Sequence, residues 1–185
     1  KNNKKFKEIK YEIISKKIGF NLTDDQKKAL SEINDDLRSS QKMFRLLQGD
    51  VGSGKTIVCL ISSMNVISSG YQVSLMVPTE ILARQHFNLS KKIFDSKTKI
   101  ELLTSKTELS ERKKILENLK NGKVNLIIGT HALFQEKINY KNLGLIIIDE
   151  QHKFGVKQRK SLSDKGGKNC DVLVMSATPI PRTMI

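Results

Sequence analysis

The 185-residue sequence is 38% hydrophobic and 28% charged, a globular balance that excludes a disordered chain and suits one domain with a substantial core. Clean apolar runs such as 145–148 are far too short to span a bilayer, and the lysine-rich start has no signal-peptide core, so a soluble, cytoplasmic protein without a membrane partner is expected. A net charge of +14 draws polyanions such as nucleic acid, although the excess of lysine over arginine is equally read as genome base composition.

In chain order, residues 1–17 carry Phe6, Ile9, Ile13 and Ile14 at helical spacing and predict an amphipathic helix. Residues 1–19 are therefore read as an extension, the end of a preceding element, with the main domain over 20–185. A second helix is predicted over 22–34, opened by Thr23 as N-cap. From Met43 onward, apolar runs at 44–47, 73–77, 100–103, 126–128, 145–148 and 172–175 alternate with helical patterns at 54–69, 79–94, 109–121 and around 156–162. Strands this apolar, separated by helices, predict an α/β fold with a mostly parallel sheet covered on both faces. Right-handed crossovers then gather the strand carboxyl ends, and any ligand, on one edge. The two cysteines are isolated: Cys59 reads as core, and neither it nor Cys170 belongs to a disulfide framework or zinc site. The start without Met and the end directly after a motif-like segment lead us to expect a piece of a longer protein.

Residues 49–56, Gly49, Asp50, Val51, Gly52, Ser53, Gly54, Lys55 and Thr56, fit GxxxxGK[ST] between a strand and a helix. The glycines let backbone N–H groups turn inward around phosphate, and the following helix points its N-terminal dipole at the same charge. Lys55 is placed to bridge β- and γ-phosphates, and the Thr56 hydroxyl to enter a Mg²⁺ shell, which predicts ATP and Mg²⁺ as cofactors. Strand 145–148 ends in Asp149 and Glu150. Asp149 would hold the Mg²⁺, and Glu150 would orient and deprotonate an attacking water, although acidic residues also end strands for solubility alone.

Further segments narrow the choice: FNLTDDQ (20–26), LLQGDVGSGKT (46–56), MVPTEILARQH (76–86), LLTS (102–105), IIGTHALFQ (127–135), IIIDEQHKFGVKQR (146–159) and VMSATPIPRT (174–183). Together they resemble the first RecA-like motor lobe of superfamily 2 helicases, and more narrowly the RecG family of bacterial ATP-dependent DNA helicases. The resemblance runs from about residue 20 to 185. The transcription-repair coupling translocases share the phosphate loop, but typically carry DEEH where this chain has DEQH.

The resemblance implies a role for each segment. Gln26 would read the adenine edge with Phe20 stacking beside it; Thr23 to Gln26 is also a capping box, with Phe20 or Leu22 as its staple, and both readings stand. Pro78, Thr79 and Glu80, then Thr104 and Ser105, then Gly129, Thr130 and His131 would contact one DNA strand through its phosphates, with ordinary N-capping as the alternative for each. Gln151, His152, Ser176 and Thr178 would couple the γ-phosphate to strand movement, and His152 is alternatively an exposed loop histidine. Lys153 stands where the family usually has Arg, which keeps the charge and loses the planar fork. Ser176 replaces the more usual Thr.

The implied function is the ATP-binding lobe of a helicase that remodels branched DNA in fork reversal, recombination and repair. Its other expected partner is a second RecA-like lobe of the same polypeptide, which would supply an arginine across the cleft. The rival readings are a nucleotide-dependent DNA-binding module without turnover, a P-loop phosphotransferase, and the coupling translocase.

Overall fold

The computed structural model describes residues 6–49, 54–135, 138–149, 164 and 170–177. Its strands are β1 (Phe44–Gln48), β2 (Gln72–Met76), β3 (Ile100–Leu103), β4 (Leu126–Gly129), β5 (Leu143–Asp149) and β6 (Asp171–Ser176). They form one sheet in the order β1-β6-β5-β2-β4-β3, and every pairing is parallel. Strands β2, β4, β5 and β6 are buried along almost their whole length, which is why each reads as an apolar run with little alternation.

The helices are α1 (Tyr11–Ile18), α2 (Asp24–Arg38), α3 (Lys55–Ser68), α4 (Glu80–Ile93), α5 (Leu109–Lys120) and the single turn α6 (Ala132–Gln135). From β1 through β2 to β3 the chain moves outward across the sheet; from β3 through β4 and β5 to β6 it returns. Right-handed crossovers put the connections of these two directions on opposite faces. Accordingly, one core joins Leu145, Ile147 and Leu173 to apolar residues of α1 through α4. The other joins Ile146, Ile148 and Val174 to Ile115 and Leu119 of α5 and to Leu133 of α6. This is the expected α/β, RecA-like arrangement with helices on both faces.

Two boundaries and one added element differ from the sequence expectation. The first helix begins at Tyr11; ahead of it, the N–H groups of Lys7 and Ile9 donate to Ser69 Oγ (2.8 Å) and Asn65 Oδ1 (3.0 Å) of the α3 region. Ile14 of α1 is buried in the same core as apolar residues of α2 and α3. Helix α2 runs on to Arg38 because Leu37 continues the buried stripe of Leu30 and Ile33. Helix α6 has no counterpart in the sequence pattern, being too short for periodicity to register. The helix expected around 156–162 lies outside the described residues.

Gln72 opens β2 and clamps the back of the sheet. Its Nε2 donates to the carbonyls of Leu119 and Val124, both at 2.9 Å, and its Oε1 accepts from Asn142 N–H at 2.9 Å. Replacing it with Leu removes three hydrogen bonds and takes this partner from the Val124 carbonyl, while the Leu119 carbonyl keeps Gly122 and Lys141 N–H, so Gln72→Leu is expected to cost about 1–3 kcal/mol in denaturant unfolding. An unchanged midpoint would show that Gln72 does not clamp the sheet. Among the described residues, no helix is long and apolar enough to cross a membrane.

Candidate nucleotide and nucleic-acid site

The strand order divides the carboxyl-terminal edge of the sheet into two halves. β1, β6 and β5 are neighbours and bring Gly49, Ser176 and Asp149 together; β2, β4 and β3 bring the three hydroxyl-bearing corners together. In the first half, Gly49 N–H donates to the Ser176 carbonyl at 3.2 Å, and Asp149 lies in register with Met175. Alternation along β5 turns Asp149 to the same face as Leu145 and Ile147, the face on which α3 packs.

Helix α3 begins at Lys55 with Gly54 as its N-cap in the left-handed region, φ 80°. That backbone conformation favours glycine, and a Cβ there would also displace the Gln26 amide. The Lys55 ammonium donates to the Gly49 carbonyl, which holds the loop's two ends together. Cys59, one turn further on, is fully buried, as expected for a core residue. Burial pushes its thiol far above the ordinary range, the Asp149 carboxylate pushes it further and Lys55 opposes the rise. Both charges therefore converge on this turn of α3.

Thr56 is partly exposed in the first turn of α3, and the Asp149 side chain is 18% exposed. Among the described residues, no group of three or more His, Cys, Asp or Glu could cage a metal. A hydroxyl and one carboxylate suit a hydrated divalent cation arriving on phosphate oxygens rather than a resident ion. Asp50, Val51, Gly52, Ser53, Glu150, Gln151, His152, Lys153 and Thr178 lie outside the described residues.

Gln26 realises the capping box. Its Oε1 accepts from Thr23 N–H at 2.9 Å, its own N–H donates to Thr23 Oγ1 at 3.2 Å, and its Nε2 faces the Gly54 carbonyl at 3.5 Å. The capping side chain thus touches the N-cap of the phosphate-loop helix. Leu22 is buried, whereas Phe20 is 49% exposed and lines an open groove of about 750 Å³ with Tyr11, Asn21 and Lys27.

The second half of the edge forms a groove of about 620 Å³. Pro78 and Glu80 line it from the β2–α4 corner, Ser105 from β3–α5, and Thr130 and His131 from β4–α6. Thr79 caps α4, accepting from Leu82 N–H at 3.3 Å. Thr104 is buried, and its hydroxyl accepts from Lys106 N–H at 3.3 Å. Gly129 admits the close approach of β3: a Cβ there would collide with the Leu103 carbonyl. Glu80 pairs with Arg84 at 3.1 Å and with Lys106 at 3.4 Å, linking the first two corners.

Sequence reasoning passes over Leu109 and Arg112, which also line this groove. They occupy the first turn of the helix that follows the Thr104–Ser105 corner. A cation one turn into a helix that starts at such a corner is the signal that could have found Arg112.

Comparison with known proteins fits this geometry. The DEAD/DEAH box helicase family model matches residues 23–184. The chain is 52% identical over 170 residues to the ATP-dependent DNA helicase RecG of Aquifex aeolicus (strain VF5), covering 91% of this chain and 22% of that protein. To RecG of Streptococcus pneumoniae serotype 4 it is 53% identical over 165 residues, covering 89% and 24%. A solved structure of RecG bound to a three-way DNA junction superposes with a TM-score of 0.81 at 46% identity, covering 96% of this chain and 24% of that one. The chain thus spans about a quarter of the length of the curated relatives it matches. The family match reaches from the capping box through the phosphate loop and the groove corners to the segment after β6. By sequence and fold, the chain belongs to the DEAD/DEAH box helicases.

Proposed function

We propose that this chain is the ATP-binding, strand-tracking lobe of a DNA motor that remodels branched DNA in the bacterial cytoplasm, in the manner of the RecG helicases it resembles. The observation that supports this reading is the sheet order, which brings Gly49, Ser176 and Asp149 at β1-β6-β5 directly beside a polar groove at β2-β4-β3.

In this reading, Gly49 to Thr56 cradle the triphosphate and Lys55 leaves the Gly49 carbonyl to contact the β- and γ-phosphates. Thr56 and Asp149 would hold Mg²⁺, which supplies charge neutralisation at the transferred phosphoryl group. Glu150 takes the proton of the attacking water. Phe20 offers a stacking face for adenine, and Gln26 carries the state of that pocket to Gly54. Gln151, His152, Ser176 and Thr178 relay the state of the γ-phosphate. Pro78, Thr79, Glu80, Thr104, Ser105, Gly129, Thr130 and His131 make the strand track, joined by Arg112. Glu80 is neutralised by Arg84 and Lys106, so it does not repel a phosphate chain. Thr104 contributes by shaping its turn.

The test is a fork-DNA titration over a salt series with the full-length protein. A phosphate-tracking site weakens steeply with salt, and Arg112→Ala is expected to lower affinity evenly across sequences while reducing the log–log salt slope by about one. A slope unchanged by the substitution would take Arg112 out of the track. Salt-independent binding would count against the track itself.

A further inference from the structure

Helix α4 turns a buried stripe of Ala83, His86, Ser90 and Ile93 toward the sheet. Three of these residues need no further partner, because two are apolar and Ser90 Oγ donates to the His86 carbonyl at 2.7 Å. His86 is different. Its side chain is 9% exposed, and its Nε2 is fully buried without a hydrogen-bond partner. That nitrogen lies 3.7 Å from Oδ2 of Asp149. A buried polar atom left unsatisfied is costly, so its retention calls for a reason beyond packing. The gap is too long for a hydrogen bond and short enough for a small side-chain adjustment to make one.

Strands β5 and β2 are the neighbours at which the two halves of the sheet edge meet. Asp149 ends β5, and α4 follows β2. Thr79 and Glu80 stand at the end of α4 that faces the groove, and His86 lies six residues further along, about 9 Å down the axis. One rigid helix therefore has its N-terminus at the groove and its buried imidazole against the carboxylate of the phosphate site.

We propose that His86 is a positioning residue: its Nε2–H closes on Asp149 Oδ2, fixes that carboxylate for the nucleotide's cation, and makes the fit depend on whether α4 has a DNA strand at its N-terminus. This rests on the ATP-binding, strand-tracking reading above. Metal-ligating carboxylates are commonly held by a hydrogen bond on the side away from the metal, and loss of that support weakens metal binding about 10–100-fold.

The test uses the full-length protein and follows binding of a fluorescent ADP as Mg²⁺ is titrated, with and without a single-stranded oligonucleotide. Melting temperature serves as the control for folding. In the parent, DNA lowers the Mg²⁺ midpoint. His86→Met, which keeps bulk and removes the donor, is expected to raise the midpoint about tenfold. It should also abolish the shift with DNA while leaving oligonucleotide affinity in the absence of nucleotide in place. His86→Gln, whose amide reaches as far and still donates, should stay within about twofold of the parent. If His86→Met does not fold, His86→Asn takes its place, since its donor sits one methylene short and should give the same loss. A folded Met or Asn variant with the parental midpoint and DNA shift overturns the proposal, as does a Gln variant as impaired as Met. A parent that binds nucleotide without Mg²⁺ dependence fails differently, because it removes the ATP-lobe reading itself.

Discussion

Residues 1–185 alone are expected to hydrolyse ATP about 10³–10⁵-fold more slowly than the same residues joined to a second motor lobe. The reason is the charge the reaction creates. A phosphoryl group in transfer spreads negative charge over three oxygens, and on the proposed reading this chain would meet it with Lys55 and the N-terminus of α3. In comparable systems, an arginine reaching across from a facing domain supplies the rest, and its absence costs rate rather than binding. Nucleotide binding should therefore survive in the isolated chain, because Gly49, Gly54, Lys55 and Thr56 are local to β1 and α3. Single-turnover phosphate release from the two proteins at matched nucleotide occupancy measures the difference. Turnover by the chain alone within about tenfold of the two-lobed protein would remove the need for a second lobe in the chemistry.

Much of the fold is legible in the amino-acid order, and the reason is burial. A strand covered on both faces must be apolar at consecutive positions, so the pattern locates all six strands to within one or two residues at most ends. It misleads where a polar residue sits inside because it has a specific partner. The end of α2 is hidden by Asn34, whose Oδ1 accepts from Asn65 Nδ2 at 3.1 Å within the core. β6 starts at Asp171, whose buried carboxylate accepts from Met43 N–H at 2.8 Å. Composition treats both residues as exposed, and only the distant partner reverses that reading.

The site divides in the same way. The phosphate loop is legible because the glycines, lysine and hydroxyl must be close in sequence to surround one phosphate. Arg112 and His86 belong to no such local pattern; their roles come from which strands lie side by side. Nothing in the order of residues says that β5 lies against β2, so nothing marks His86 as the neighbour of Asp149.

Glu150→Gln in the two-lobed protein is expected to leave ATP affinity near the parental value and lower hydrolysis by about 10²–10⁴-fold. Glutamine keeps the size and hydrogen bonding of glutamate but cannot accept a proton at neutral pH, so only the step that deprotonates water is lost. If Glu150 acts beside the triphosphate as proposed, removing its charge also lessens repulsion, which favours retained or tighter binding. Lys55→Ala should behave in the opposite sense. On the proposed reading its ammonium would contact the ground-state phosphates, so affinity and turnover should fall together, and the split between Kd and kcat distinguishes the two residues. The Gln variant then holds the ATP-bound state long enough to ask whether that state alone changes affinity for fork DNA. A motor lobe should show such a change without hydrolysis, because strand grip follows the nucleotide bound. If the parent itself never turns over, and the variant matches it in every measurement, the chain is a nucleotide-dependent binding module and Glu150 has no catalytic role. If instead the variant hydrolyses ATP at the parental rate, the water must be activated by another group near the carboxyl end of β5.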